Sequence, residues 1–237
     1  MEQSSGSAQL SVWRSEEKFL LSPAQAVLLK DKLARLLTPD PYGPNGYRVK
    51  SLYFDSFHDL DYYEKEAGVL RRKKVRLRIY DEDQPNAKLE LKEKQGELQH
   101  KSSLIVSRAE AEALCRGDFG FLLDRGTETA LRLYTILRLG LYRPAVVIEY
   151  DRCAYTHPLF DTRLTFDSGV RSSQFNLSLY DRALPWEYVL REEVLLEVKY
   201  NQVLPKSISR VLDHEKLNRV SVSKYAVGRT ILNDWVL

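Results

Sequence analysis

Cysteine and histidine are scarce in this 237-residue chain, and where they occur they do not gather. The two cysteines, Cys115 and Cys153, sit in unrelated settings, and the four histidines (His58, His100, His157, His214) are scattered. That excludes a disulfide framework and a thiol or zinc centre, and leaves both cysteines as small buried apolar residues. No apolar run approaches the roughly 18 residues needed to span a bilayer. The first residues, 1–9, lack the basic start and apolar core of a secretory signal, so the expected compartment is the cytoplasm. No internal repeat is found, and residues 1–13 read as a disordered polar tail. Strong charge of one sign is missing too: a net +3 is too mild to imply nucleic-acid binding.

What remains is an ordinary globular composition, 43% hydrophobic and 29% charged, with length for one domain over residues 14–237. Ser22-Pro23 reads as a helix cap followed by proline at the first helical position, opening a helix from Pro23 to Leu37. The Pro-, Gly- and Asn-rich stretch Thr38 to Tyr47 reads as a loop. Further helices are expected over Ser107–Arg116, Thr127–Gly140 and from Ser223 to about Asp234. Period-two alternation marks strands over Arg14–Leu21, Tyr47–Ser56, Leu70–Tyr80, Ala87–Lys94, Leu98–Val106, Pro144–Tyr155, Leu159–Ser168 and Tyr188–Tyr200. Such a set, mostly antiparallel by its short connections, suits a barrel or a sandwich.

The charged residues of these strands favour the barrel. Arg72, Lys74, Arg76 and Arg78 share a face opposite Arg71, Lys73, Val75, Leu77 and Ile79. Glu90, Lys92 and Lys94 lie opposite Leu89 and Leu91, and Glu197 and Lys199 opposite Leu196 and Val198. Arg14, Glu16 and Lys18 align in the first strand, as do Arg163, Thr165 and Asp167 later. One such face is an ordinary solvated surface. Five with mixed charge imply a shared environment, in which half-buried cations must be balanced by carboxylates and an anionic ligand. The expected fold is therefore α+β, an eight-stranded antiparallel closed β-barrel with flanking helices.

At these residues the chain resembles a known family. RSEEKF (Arg14–Phe19), SLYFD (Ser51–Asp55), VRLRIY (Val75–Tyr80), LELKEK (Leu89–Lys94), YDRCAY (Tyr150–Tyr155), TRLTFD (Thr162–Asp167), LLEVKY (Leu195–Tyr200) and SVSKY (Ser221–Tyr225) are similar, in order, to the vacuolar transporter chaperone (VTC) domain of the triphosphate tunnel metalloenzymes, or CYTH-like superfamily. The resemblance implies a polyphosphate polymerase that takes the γ-phosphate of ATP. It also implies roles: Arg76, Arg78, Arg152 and Arg163 as phosphate-binding arginines, and Lys18, Lys92, Lys101 and Lys199 as tunnel lysines. Arg14, Arg72, Lys74 and Lys94 are further candidates for holding substrate. Glu197 would bind Mn²⁺ or Mg²⁺, supported by Glu16 and Glu90, and Ser223 and Lys224 match an SK motif at the last helix.

Tunnel triphosphatases open with ExExK, whereas Arg14 makes this strand RxExK, an exchange that favours holding a phosphate chain over binding two metals. The expected ligands are ATP and pyrophosphate or polyphosphate, with no nucleic acid, no membrane segment and no indicated protein partner. A triphosphatase or nucleotide phosphohydrolase on the same barrel is the rival enzyme, and a non-catalytic polyphosphate- or nucleotide-binding module the rival outside enzymes. The run RRKKVRLR (Arg71–Arg78) alternates with apolar residues and pairs with glutamates, which points inward and away from a nucleic-acid surface. Lys50 and Asp55 read as strand-end charges, and Asp167 as a residue that orients Arg163 through a salt bridge.

Overall fold

The computed structural model describes residues 15–233, apart from Glu97 and the side chains of residues 231–233. The N-terminal tail, Arg14 and Asp234 therefore lie outside the described residues. The order of elements is β1 (Ser15–Leu21), α1 (Pro23–Leu33), β2 (Thr38–Pro39), β3 (Tyr47–Asp55), α2 (Leu60–Glu66), β4 (Arg71–Ile79), β5 (Asn86–Gln95) and β6 (Leu98–Ser107). It continues with α3 (Arg108–Cys115), α4 (Phe121–Asp124), α5 (Glu128–Leu139), β7 (Arg143–His157) and a 3₁₀ turn at Leu159–Asp161. Last come β8 (Thr162–Ser173), β9 (Glu187–Leu190), β10 (Val194–Tyr200), α6 (Lys206–His214) and α7 (Lys224–Asn233).

Local chemistry sets several helix starts. Ser22 and Gln25 form a reciprocal capping box at α1, with Pro23 at its first turn. Ser107 and Glu110 do the same at α3, and Thr127 caps α5. Helix α1 stops at Leu33, short of the expected Leu37, because the chain must turn to pair β2 with β7. The short helix α2 was not expected from the pattern. Its N-cap residue Asp59 makes no side-chain cap; Asp55 instead accepts from the backbone N–H groups of Asp61 and Tyr62, at 2.9 and 3.0 Å.

All strands pair antiparallel in one sheet, in the order β1-β10-β8-β7-β3-β4-β5-β6, with β2 added beside β7 and β9 beside β8. The expected last strand, Tyr188–Tyr200, is divided into β9 and β10, and the one expected at Leu159–Ser168 begins after the 3₁₀ turn. The closed barrel is not observed: β1 and β6 end the order and do not pair. The outer edge of β1 is taken by the segment before α7. Phe19 bridges Arg219, the Val220 N–H donates to the Lys18 carbonyl at 2.9 Å, and Lys18 Nζ donates to the Val222 carbonyl at 2.9 Å.

The sheet nonetheless curls. β1 and β5 stand first and seventh in the order, which would separate them by about 29 Å in a flat sheet. Yet Lys92 Nζ on β5 lies 2.8 Å from Glu16 Oε2 on β1.

Apolar residues sort into three clusters. Val75, Leu77, Ile79, Leu89 and Leu91 pack with Leu114, Leu122, Leu133 and Leu137 of α3 to α5. Phe19, Leu21, Leu164, Phe166, Leu196 and Val198 pack with α1 and α6. On the opposite face of the sheet, Val49, Tyr53, Ile148 and Tyr150 pack with Tyr225 and Ala226 of α7. Helix α7 thus lies on the face that carries the strand charges, joined there by Tyr62 of α2, while α1, α3 to α5 and α6 cover the back. Among the described residues, no helix is long and apolar enough to cross a membrane.

Candidate functional site

Cross-strand register places the charges. Pairing of β4 with β5 sets Arg76 opposite Glu90 and Lys74 opposite Lys92; pairing of β1 with β10 sets Lys18 opposite Glu197 and Glu16 opposite Lys199. Because side chains alternate along a strand, every one of these points to the α7 side of the sheet.

On one wall, Glu90 is 1% exposed and is held by Arg76 Nε at 2.6 Å and Lys101 Nζ at 2.6 Å, with Arg78 Nη1 at 3.7 Å. Arg76 also donates to Tyr53 Oη at 2.9 Å, and Arg78 donates to Ser51 Oγ at 3.3 Å. On the other wall, Arg152 makes a bidentate pair with Asp167, both contacts 2.7 Å. Lys224, at the start of α7, reaches Asp167 at 2.5 Å and Glu197 at 3.0 Å, while Lys199 reaches Glu197 at 2.6 Å. Lys18 Nζ sits 3.5 Å from both Glu16 and Glu197. Among the contacts that join the walls are Lys92 to Glu16, and Lys74 Nζ donating to Ser223 Oγ at 2.6 Å. Ser223 also accepts from the Ala226 N–H, so this hydroxyl caps α7 as it receives Lys74.

The balance of charge is uneven. Lys18, Lys74, Arg76, Arg78, Lys92, Lys101, Arg152, Lys199 and Lys224 face Glu16, Glu90, Asp167 and Glu197, nine cations against four carboxylates. Burial would raise the carboxyl pKa values, but the surrounding lysines and arginines hold Glu16, Glu90, Asp167 and Glu197 below the ordinary range. All four are therefore ionised. The surplus falls on two lysines. Burial, with Lys18, Lys92, Lys65 and Arg72 around it, pushes Lys74 well below the ordinary lysine value. Burial also brings Lys92 down to about 8, against the pull of Glu16. Among the described residues Lys74 has no carboxylate within salt-bridge distance; it touches Ser223 and lies over the Tyr225 ring. The phenol of Tyr53 is lowered despite its burial, by Arg76 and Arg78.

Not every expected residue joins this cluster. Arg163 lies at the rim, donating to Asp40 at 2.6 Å and to Tyr47 Oη at 2.9 Å. Asp167 was expected to orient Arg163 and instead binds Arg152 and Lys224. The two β8 residues share a face but stand four positions apart, about 13 Å along a strand, so they cannot meet. Arg72 and Lys94 face each other at the far end of β4 and β5, where Arg72 donates to the Val69 carbonyl. Arg14 lies outside the described residues.

Lys50 and Asp55 are not simple strand-end charges. Lys50 is buried against Glu82, the Asp181 carbonyl and the Trp186 ring, and Asp55 caps α2 while accepting from Tyr225 Oη. Tyr53, Ser51 and Tyr150 complete the arginine wall and were not singled out beforehand. Their period-two spacing with the arginine-facing side of β3 and β7 was the available signal.

No group of three or more His, Cys, Asp or Glu suited to a metal ion exists among the described residues. Glu16 and Glu197 stand on paired strands with the Lys18 ammonium bridging them, a place where a cation already belongs. Two carboxylates completed by phosphate oxygens suit Mg²⁺ or Mn²⁺. Glu90, on the opposite wall and filled by Arg76 and Lys101, is not their neighbour in this sense.

Comparison with known proteins agrees with the fold. A Bacillus halodurans protein with a provisional adenylate cyclase assignment superposes with a TM-score of 0.54 at 14% identity, covering 90% of this chain and 95% of that chain. The PH1012 protein of Pyrococcus horikoshii gives a TM-score of 0.46 at 14% identity, covering 89% of this chain and 96% of that chain. Comparison with curated proteins finds no match. The VTC domain family matches residues 13–233, and the matched span contains every strand whose charges meet on the α7 side of the sheet. By a match over nearly its whole length, the chain belongs to the VTC domain family.

Proposed function

We propose that the protein is a polyphosphate polymerase that moves the γ-phosphate of ATP onto the terminal phosphate of an inorganic polyphosphate chain. The observation that carries this reading is the surplus of cations on a desolvated face, where Lys74 has no carboxylate partner among the described residues. Such a face is stable only marginally until a polyanion neutralises it.

In the transfer, a terminal oxygen of the chain forms a bond to the γ-phosphorus as the bond from that phosphorus to the β-bridging oxygen breaks, releasing ADP. Two polyanions must approach one another, so charge neutralisation and positioning are what the protein supplies. Arg76, Arg78 and Arg152 offer planar forks for paired contacts to phosphate oxygens, and Lys18, Lys92, Lys199 and Lys224 offer mobile ammonium groups. A divalent cation held by Glu197 and Glu16 would add screening of the phosphate charge.

The state of the carboxylates favours phosphate over water as the acceptor. A general base for water works best with a pKa near the operating pH, and Glu16, Glu90 and Glu197 are all held well below it. An ionised phosphate terminus needs no base.

The test is incubation of purified protein with ATP and Mn²⁺, with and without pyrophosphate, followed by phosphorus NMR. Internal-phosphate signals that vanish in Arg76→Ala and Arg78→Ala support the polymerase. Orthophosphate without chains would make it a triphosphatase, and ATP binding without turnover a binding module.

A further inference from the structure

A closed barrel shelters the inward side of each of its strands, whereas a trough leaves the inward side of an edge strand in water. Strand β6 tells the two apart. Register sets Lys101, Ser103 and Ile105 opposite Lys92, Glu90 and Lys88, so all three belong to the α7 side of the sheet. All three are exposed, the Lys101 side chain by 53%, while the back-facing Ser102 and Val106 of the same strand are buried. Deep in the curl the same side of the sheet is closed to water: the side chains of Arg78 on β4 and Arg152 on β7 are each 8% exposed. Exposure climbs toward the edge, with the Lys92 side chain on β5 at 33% beside Lys101 on β6.

The described strands do not close this side, since β1 and β6 end the sheet and do not pair. The outer edge of β1 is bonded at Phe19 and Lys18 to residues 219 and 220. Strand β6 is met at its Ile105 end by Arg125 Nη1, which donates to the Ile105 carbonyl at 3.0 Å, away from Lys101. Across the seam Lys92 reaches Glu16 in a part-exposed ion pair, a weaker tie than a ladder of backbone bonds. An anion that takes Lys92 leaves Glu16 with Lys18 at 3.5 Å and Lys199 at 3.9 Å, so no carboxylate is stranded when the pair opens. Lys101 stands at the lip, where its exposed charge draws a polyanion toward the seam.

We infer that the cationic face is a trough loaded from the side, through the seam between β6 and residues 219–222, and so accepts internal stretches of a phosphate chain whose two ends are inaccessible. This rests on the phosphate-chain reading above and extends it from the terminus of the polymer to its whole length. Growth still needs a terminus, so an internal stretch held in the trough competes with the acceptor end.

The test uses long-chain inorganic polyphosphate in three forms: both ends free, one end capped, and both ends capped by a bulky protein through phosphoramidate bonds. Each form competes with radiolabelled inorganic triphosphate for the full-length protein in equilibrium dialysis, so that only binding at the cationic face is read. All three should displace the triphosphate with affinities within about two-fold of one another. Loss of displacement by the doubly capped chain alone would overturn side loading and leave the face as a phosphate site entered end-on. Binding of the doubly capped chain without displacement would overturn it too, by placing the polymer elsewhere on the surface. If neither triphosphate nor the free-ended chain binds, the phosphate reading itself falls.

Discussion

Lys74 carries the largest unresolved cost at the scale of single residues. Its ammonium is desolvated beside Lys18 and Lys92, with a hydroxyl and a ring for company. Replacing it by methionine keeps the stem and removes the charge. Lys74→Met is expected to raise the stability of the free protein by about 1 kcal/mol and to weaken triphosphate binding about ten-fold. Urea unfolding with and without ligand checks both signs. Lys92 titrates near 8 in the free protein, against about 10.4 for an ordinary lysine. A bound phosphate would restore its proton, so triphosphate affinity should fall as pH rises through 8, with proton uptake on binding above that pH. In the free protein the unfolded state holds that proton up to about 10.4, so this group makes folding more favourable as pH climbs from 8 to 10. Titrations in buffers of different ionisation enthalpy measure the uptake, and its absence would remove Lys92 from the phosphate contacts.

Asp55 shows how one side chain can govern two elements. It is fully buried and accepts from the N–H groups of Ser56, Asp61 and Tyr62 and from Tyr225 Oη, tying the start of α2 to α7. Asp55→Ala leaves those donors unmatched and should cost about 3–5 kcal/mol, with Asp55→Asn costing less because its carbonyl still accepts. Since α7 carries Lys224 and the Ser223 cap, the loss should also weaken ligand binding, and thermal melting beside calorimetry would separate the two effects. Locally capped helices such as α3 and α5 were readable from Ser107 with Glu110 and from Thr127 with Gly140. Helix α2 was not, because its cap comes from the end of β3 and the side chain of its own N-cap Asp59 makes no capping bond.

For the molecule as a whole, the surplus of cations is gathered on the α7 face, and two of the three apolar clusters lie on the back of the sheet. A ligand that binds only the folded state adds about 2.7 kcal/mol at one hundred times its dissociation constant. Triphosphate is therefore expected to raise the melting temperature by several degrees, and the rise should shrink with added salt as screening grows. A salt-independent rise would place the ligand away from the paired charges. Alternation alone determined which strand residues share a face, since a strand has period two, and so the company of Arg76, Arg78, Lys92, Glu197 and Lys199 was legible in the sequence. Pairing partners were not, because register joins residues far apart in the chain: only the tertiary structure decided that Arg152 and Lys224 share Asp167, and that Arg163 turns to Asp40. It also decided the shape. Alternation cannot say what lies beyond an edge strand, and here residues 219–222 take the edge of β1, so the walls are joined by Lys92 and Glu16 through their side chains and not by a closing ladder of backbone bonds.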